Sequence, residues 1–190
     1  MPAISIKVPK QKVKNPPLQV HTLGDRVLRQ PAKRISKVND EIRQIIADML
    51  QTMYSNDGIG LAAPQVGINK QLLVIDIELK DESKPPLVMI NPEIKSSGGD
   101  LITGEEGCLS IPEVFLDVVR PDRVEVSYRD EDGRPKHLIA EGLLARVIQH
   151  EMDHLNGVLF VDRVKNAIAL NKELSAHGFA TKDVQSIKQN

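Results

Sequence analysis

The chain has 190 residues, of which 41% are hydrophobic and 27% charged, and its net charge is −1 at pH 7. This is the composition of one ordinary globular domain, long enough to bury roughly 70% of its unfolded surface without covalent staples. Cys108 is the single cysteine, which excludes an internal disulfide; there is no tryptophan; and no apolar run reaches the length of a membrane span or of a secretory h-region.

Residues 1–17 contain Pro2, Pro9, Pro16 and Pro17 and read as an extended arm. From Asn39 to Asp57 the spacing of Ile42, Ile45, Ile46, Met49, Leu50 and Met53 predicts a helix capped by Asn39 or Asp40. Gly58 to Gly67 reads as a loop. Gln71 to Leu79 is a predicted strand, and Pro86 to Ile90 a second one that Asn91-Pro92 closes. A turn through Gly98-Gly99 follows. Further strands are expected at Val114 to Arg120, Arg123 to Arg129 and, after the Asp132-Gly133 turn, His137 to Ala140. Gly142 to Leu155 is a second helix, stopped by Asn156-Gly157, and a third runs from Val164 to about His177. Residues 178–190 are expected to be a flexible tail of the same single domain. Helix, several antiparallel strands, helix is an α+β order.

Within the second helix lies His150-Glu151-Met152-Asp153-His154, an H-E-x-x-H motif. On a helix the two histidines share a face and can bind one divalent metal, with Glu151 beside it as general base. Two histidines leave a third ligand to be found. The longer pattern with a third histidine fails, because Phe160 stands at that position. Glu173, 19 residues after His154, is one candidate, as in a thermolysin-like endopeptidase. Cys108, in the polar stretch Gly104-Glu105-Glu106-Gly107-Cys108-Leu109-Ser110, is the other, since Cys-His-His with an open position is a known catalytic zinc set. His21, His137 and His177 are weaker ligand candidates. A structural metal module that binds peptides without turnover is a further reading.

Three segments together resemble the peptide deformylase family: Gly58-Ile59-Gly60-Leu61-Ala62-Ala63-Pro64-Gln65-Val66-Gly67, Glu106-Gly107-Cys108-Leu109-Ser110, and Gln149-His150-Glu151-Met152-Asp153-His154-Leu155. The resemblance covers about residues 18 to 170 and points to the class 1, bacterial or organellar branch. It implies an α+β fold with antiparallel sheets packed around the metal-bearing helix. It also implies a hydrolase that removes the formyl group from the N-terminal formylmethionine of new polypeptides and releases formate. One divalent ion is implied, held by Cys108, His150 and His154, with Fe2+ expected and Zn2+, Ni2+ or Co2+ able to occupy such a site. Glu151 would move the proton, and the Gln65 side-chain amide with the Leu109 N–H would hold the oxyanion.

The same resemblance assigns substrate contacts to Gly58, Ile59 and Gly60, whose backbone would pair with the peptide like an added strand, and to Glu106 and Gly107. Leu143 and Val147, on the His150 face of the helix, with Ile59 would wall the methionine pocket. Glu106 and Arg120 are expected to pair behind the cysteine. Two positions depart from the best-known bacterial form: Phe115 replaces an arginine, and Arg146 replaces an aliphatic residue.

Charge is uneven. Met1 to Val20 has four lysines and no acid, Arg163 to Asn190 has five basic and two acidic residues, and the body between carries −8. Such ends are either solvated or lie near a polyanion such as ribosomal RNA. Specific nucleic-acid binding and membrane association are not expected. The expected partners are N-formylmethionyl nascent peptides, and the expected location is the bacterial cytoplasm, with a processed plastid or mitochondrial enzyme as the alternative.

Overall fold

The computed structural model describes residues 6–187. Five strands, β1 (Gly60–Ala62), β2 (Leu72–Ile75), β3 (Leu87–Cys108), β4 (Ile111–Arg129) and β5 (Pro135–Glu141), form one antiparallel sheet in chain order. Three helices accompany it: α1 (Asp40–Ser55), α2 (Gly142–Leu155) and α3 (Ala167–Ala176). The α+β expectation holds.

The helices begin and end on the residues that local chemistry favours. Asn39 caps α1 by accepting the Ile42 N–H at 3.0 Å, a contact worth about 1 kcal/mol. α2 spans the predicted Gly142–Leu155 and stops at Asn156. α3 is shorter than expected because the Asn166 side chain caps it at Ala169.

The sheet departs from expectation. β3 runs through Asn91-Pro92 and through Gly98-Gly99, and β4 runs through Pro121-Asp122 where two strands were expected. A straight strand of 22 residues would reach about 70 Å, too long for this domain, so the ladder bends. The breaker residues make the bends: register shifts fall between Ile90 and Glu93 and between Gly98 and Leu101. They are β-bulges, not turns. Asn91, with φ +50, bonds the backbone of Ile35 through both side-chain atoms at 2.8 Å. Gly99 has φ +75, and Asp122 accepts from the Asp100 N–H across the strand pair. The Gly58–Gly67 segment is not all loop: it contains β1 and a 3-10 turn at Ala63–Val66.

α2 is central. Ala145, Val147, Ile148 and Leu155 pack with Leu73, Met89, Val124 and Val126 of the sheet. On another side Phe160 and Leu159 join Ile111, Leu116, Val118 and α3. α1 packs with Leu61, Leu72 and Ile90, and Ile6, Val8, Leu18 and Val20 of the N-terminal segment lie against that cluster. At the other end, the expected flexible tail is tethered as far as Ile187: Arg29 donates to Asp183 O, and Asp162 accepts from the Gln185 and Ile187 N–H groups. The ends 1–5 and 188–190 lie outside the described residues. No helix among the described residues is long and apolar enough to cross a membrane.

Candidate metal centre and cleft

α2 brings His150 and His154 to one face and buries both, with Glu151 buried beside them. Cys108 comes from the last position of β3, immediately before the two-residue Leu109-Ser110 turn into β4. One donor atom from each of Cys108, His150 and His154 lies within 4.8 Å of the others, and Cys108 Sγ is 3.3 Å from His154 Nε2. Metal bonds of about 2.0–2.3 Å set tetrahedral ligands roughly 3.4–3.8 Å apart, so the cluster already stands close to coordinating distances. Buried polar atoms seldom lack partners. Here Glu151 Oε2 does, beside the Cys108 thiol and two imidazoles, a donor set suited to a divalent cation.

Glu173 is not in this cluster. It sits on α3, and its nearest ionic partner is His177 at 3.7 Å. Phe160 stacks on the His150 ring, with centroids 5.9 Å apart, and so holds the imidazole in place. His21, His137 and His177 make other contacts, with Asp25, Glu125 and the Glu173 carbonyl.

Behind His150 stands Glu106, buried and saturated with donors. Oε1 accepts from Arg120 Nε at 2.6 Å and Arg146 Nη1 at 2.8 Å; Oε2 accepts from Arg120 Nη2 at 2.8 Å and faces His150 Nδ1 at 2.9 Å. Burial would raise its pKa, but the Arg120 and His150 bonds outweigh that and hold the carboxyl far below the usual range. An ionised Glu106 takes the Nδ1 proton of His150 as a hydrogen bond and leaves Nε2 free to ligate. The expected Glu106–Arg120 pair is therefore present, its carboxylate turned to the histidine, and Glu106 also lines the cleft. The chain extends through Arg120 to Asp153 at 2.9 Å and from Asp153 to Arg163 at 2.6 Å.

Gln65 is also buried. Its Oε1 accepts the Ala62 N–H at 2.8 Å, which turns Nε2 toward Ser110 Oγ at 3.1 Å and Cys108 Sγ at 3.4 Å. The donor end of the amide thus points at the metal cluster. Burial pushes the Glu151 carboxyl up to about 7.

These groups line a cleft of about 660 Å3. Every expected site residue except His154 is in its wall: Gly58, Ile59 and Gly60 on one side, Glu106, Gly107, Cys108 and Leu109 on the hairpin, Leu143, Val147, His150 and Glu151 on α2, and Gln65. His154 lies deeper. Gly60 meets α2 so closely that a Cβ there would collide with Glu151 Oε1. Sequence reasoning missed Ser110, fully buried under Gln65, and the wall formed by Pro112, Glu113 and Val114. The backbone of Glu113 has φ +65, a bulge for which its residue type gives no signal.

Comparison with known proteins agrees with this geometry. The family model for polypeptide deformylase matches residues 17–168. A peptide deformylase of Microchaete diplosiphon is 65% identical over 182 residues, 96% of this chain and 97% of that protein. One from Thermosynechococcus vestitus is 65% identical over 185 residues, 97% and 98% of the two chains. Among solved structures, the peptide deformylase of Synechococcus elongatus in complex with actinonin has a TM-score of 0.96 at 66% identity, covering 97% of this chain and all of that one. The enzyme from Thermotoga maritima has a TM-score of 0.74 at 42% identity, covering 78% and 97%. On fold, family match and relatives alike, the chain belongs to the polypeptide deformylase family, hydrolases that remove the N-formyl group from nascent polypeptides.

Proposed function

We propose that this chain deformylates N-formylmethionyl peptides with a single divalent ion held by Cys108, His150 and His154, physiologically Fe2+, with Zn2+, Ni2+ or Co2+ able to replace it. The convergence of those three donors at the floor of the cleft carries the reading. A divalent ion there supplies Lewis acidity, which makes water nucleophilic near neutral pH.

The residues do the rest. Glu151 takes the proton of the attacking water and returns one to the departing amine. Gln65 Nε2, fixed by its bond from Ala62, and the Leu109 N–H at the hairpin turn donate to the oxygen that gains charge when the formyl carbon becomes tetrahedral. Glu106 keeps His150 oriented. The Gly58–Gly60 edge pairs with the peptide backbone, and Ile59, Leu143 and Val147 receive the methionine side chain. Leu143 is 55% exposed at the cleft, apolar surface that a substrate would cover. The chain works as one domain in the bacterial cytoplasm, and the basic residues of its ends other than the buried Lys10 are the groups that would meet ribosomal RNA.

Formate release from a formylmethionyl tripeptide tests the proposal. The anaerobically purified protein should turn over, stop on chelation, and recover with Fe2+; cleavage of internal peptide bonds without formate release would defeat it. Glu151→Gln should retain the metal and lose about 10²–10⁴ in kcat. Gly60→Ala should keep the fold and metal yet lose about 10²-fold in activity, because displacing a reacting group by about 1 Å costs that much. Near-normal kcat in Gly60→Ala would show that the Glu151 position has slack.

A further inference from the structure

Arg146 lies one helical turn before His150 on α2, where an aliphatic residue was expected. Its guanidinium reaches across to both strands of the hairpin that ends in Cys108. Nη1 donates to Glu106 Oε1 at 2.8 Å and to Val118 O at 3.0 Å; Nη2 donates to Ile102 O at 2.7 Å. Nη1 also reaches Gly104 O at 3.5 Å, so one side chain ties α2 to β3 at three points and to β4 at a fourth. Gly104 is shaped to this contact: a Cβ there would stand 2.9 Å from Cζ and Nη2 of Arg146. The guanidinium thus fills the space over Gly104 that any other residue's side chain would need.

The tie has a direction. Glu106 and Cys108 alternate by two along β3 and so project to the same side. Arg146 and His150 are four apart on α2 and reach opposite oxygens of the Glu106 carboxylate. Helix and strand are clasped at two successive points, and the second of them is a histidine of the metal cluster. The Arg146 side chain also lines the cleft beside Leu143 and Phe115.

We propose that Arg146 is a positioning residue: by clasping α2 to β3 and β4 over Gly104 it fixes the separation of Cys108 from His150 and His154, and with it the width of the cleft. This rests on the assignment of those three residues as ligands. Arg146→Met keeps an unbranched apolar stem in the cleft wall and removes the donors. Gly104→Ala leaves Arg146 in place and pushes its guanidinium aside. Arg146→Lys keeps the charge without the planar fork.

The experiment compares cobalt(II)-loaded wild type with these variants by electronic absorption, alongside kcat and KM on a formylmethionyl tripeptide. Ligand-field bands report coordination geometry, and a thiolate-to-cobalt charge-transfer band reports Cys108. Arg146→Met is expected to bind cobalt, to shift its ligand-field bands, and to lose about 10–100-fold in kcat/KM, mostly in kcat, the usual cost of removing support behind a ligand. Gly104→Ala should move both readouts the same way by less, and Arg146→Lys should fall between wild type and Arg146→Met. Unchanged bands with kcat/KM within twofold, in Arg146→Met or, if that does not fold, in Gly104→Ala, would overturn the proposal, whatever happened to the melting temperature. A wild type with no thiolate charge-transfer band would instead refute the ligand assignment beneath it.

Discussion

Cys108→Ala is expected to purify without stoichiometric metal and without deformylase activity, whereas Glu173→Ala should match wild type in both. The contrast follows from geometry. The Cys108 thiol shares a cluster with two imidazoles, while Glu173 pairs with His177 on α3. Losing a residue that only orients a ligand costs metal affinity about 10–100-fold, and losing the thiolate itself should cost more. Elemental analysis after anaerobic purification reads the outcome directly. A second readout needs no turnover: bound metal stabilises the folded state in proportion to the logarithm of its concentration over Kd. Added cobalt or nickel should therefore raise the melting temperature of wild type and of Glu173→Ala, and not that of Cys108→Ala. Metal retained in Cys108→Ala but lost in Glu173→Ala would return the chain to an endopeptidase-like ligand set.

The choice between these two ligands was open in the sequence for a physical reason. Spacing along α2 fixes two donors because a helix has one period. The third comes from another element, and its approach depends on the long β3–β4 pairing that ends in the Leu109-Ser110 turn. Resemblance to a family, not spacing, selected Cys108. The same division runs through the fold. α2 and the start of α1 were legible because periodicity and caps are local. Asn91-Pro92, Gly98-Gly99 and Pro121-Asp122 were read as ends because a bulge and a turn use the same residues; only the partner strand decides between them. Nothing near Arg146 in sequence announces Gly104, 42 residues away on β3, and the Glu106–Arg120 pair was legible only through the family resemblance, because a contact across the sheet leaves no local signal.

Lys10 shows the same limit at larger energetic stakes. In sequence it is one of four equivalent lysines in a basic arm; in the fold its side chain is only 5% exposed and meets Asp76, itself 3% exposed, at 2.8 Å. Its three protons have three acceptors: Asp76 Oδ2, Glu78 O at 3.0 Å and Asp81 O at 2.8 Å. Asp76 also accepts from Tyr54 Oη at 2.8 Å, and burial together with that carboxylate holds the Tyr54 phenol above its usual range, so it stays a donor. Lys10→Met should therefore strand a buried carboxylate and cost about 3–5 kcal/mol of stability, read as a lower urea midpoint. Asp76→Asn alone should cost less than Lys10→Met, because the amide still offers an acceptor to Tyr54. The double variant should be more stable than Lys10→Met, since it removes both charges and not one. The site gives this a functional edge: the Asp76 N–H donates to Ile59 O at 2.8 Å, on the cleft wall. Lys10 precedes residues 17–168, which the family model matches, so a segment outside that match braces the Gly58–Gly60 edge where the peptide is proposed to pair. A Lys10→Met variant within about 1 kcal/mol of wild type would show that the arm does not carry this load. A loss of the predicted size without coupling to Asp76 would assign the loss to packing of the lysine stem.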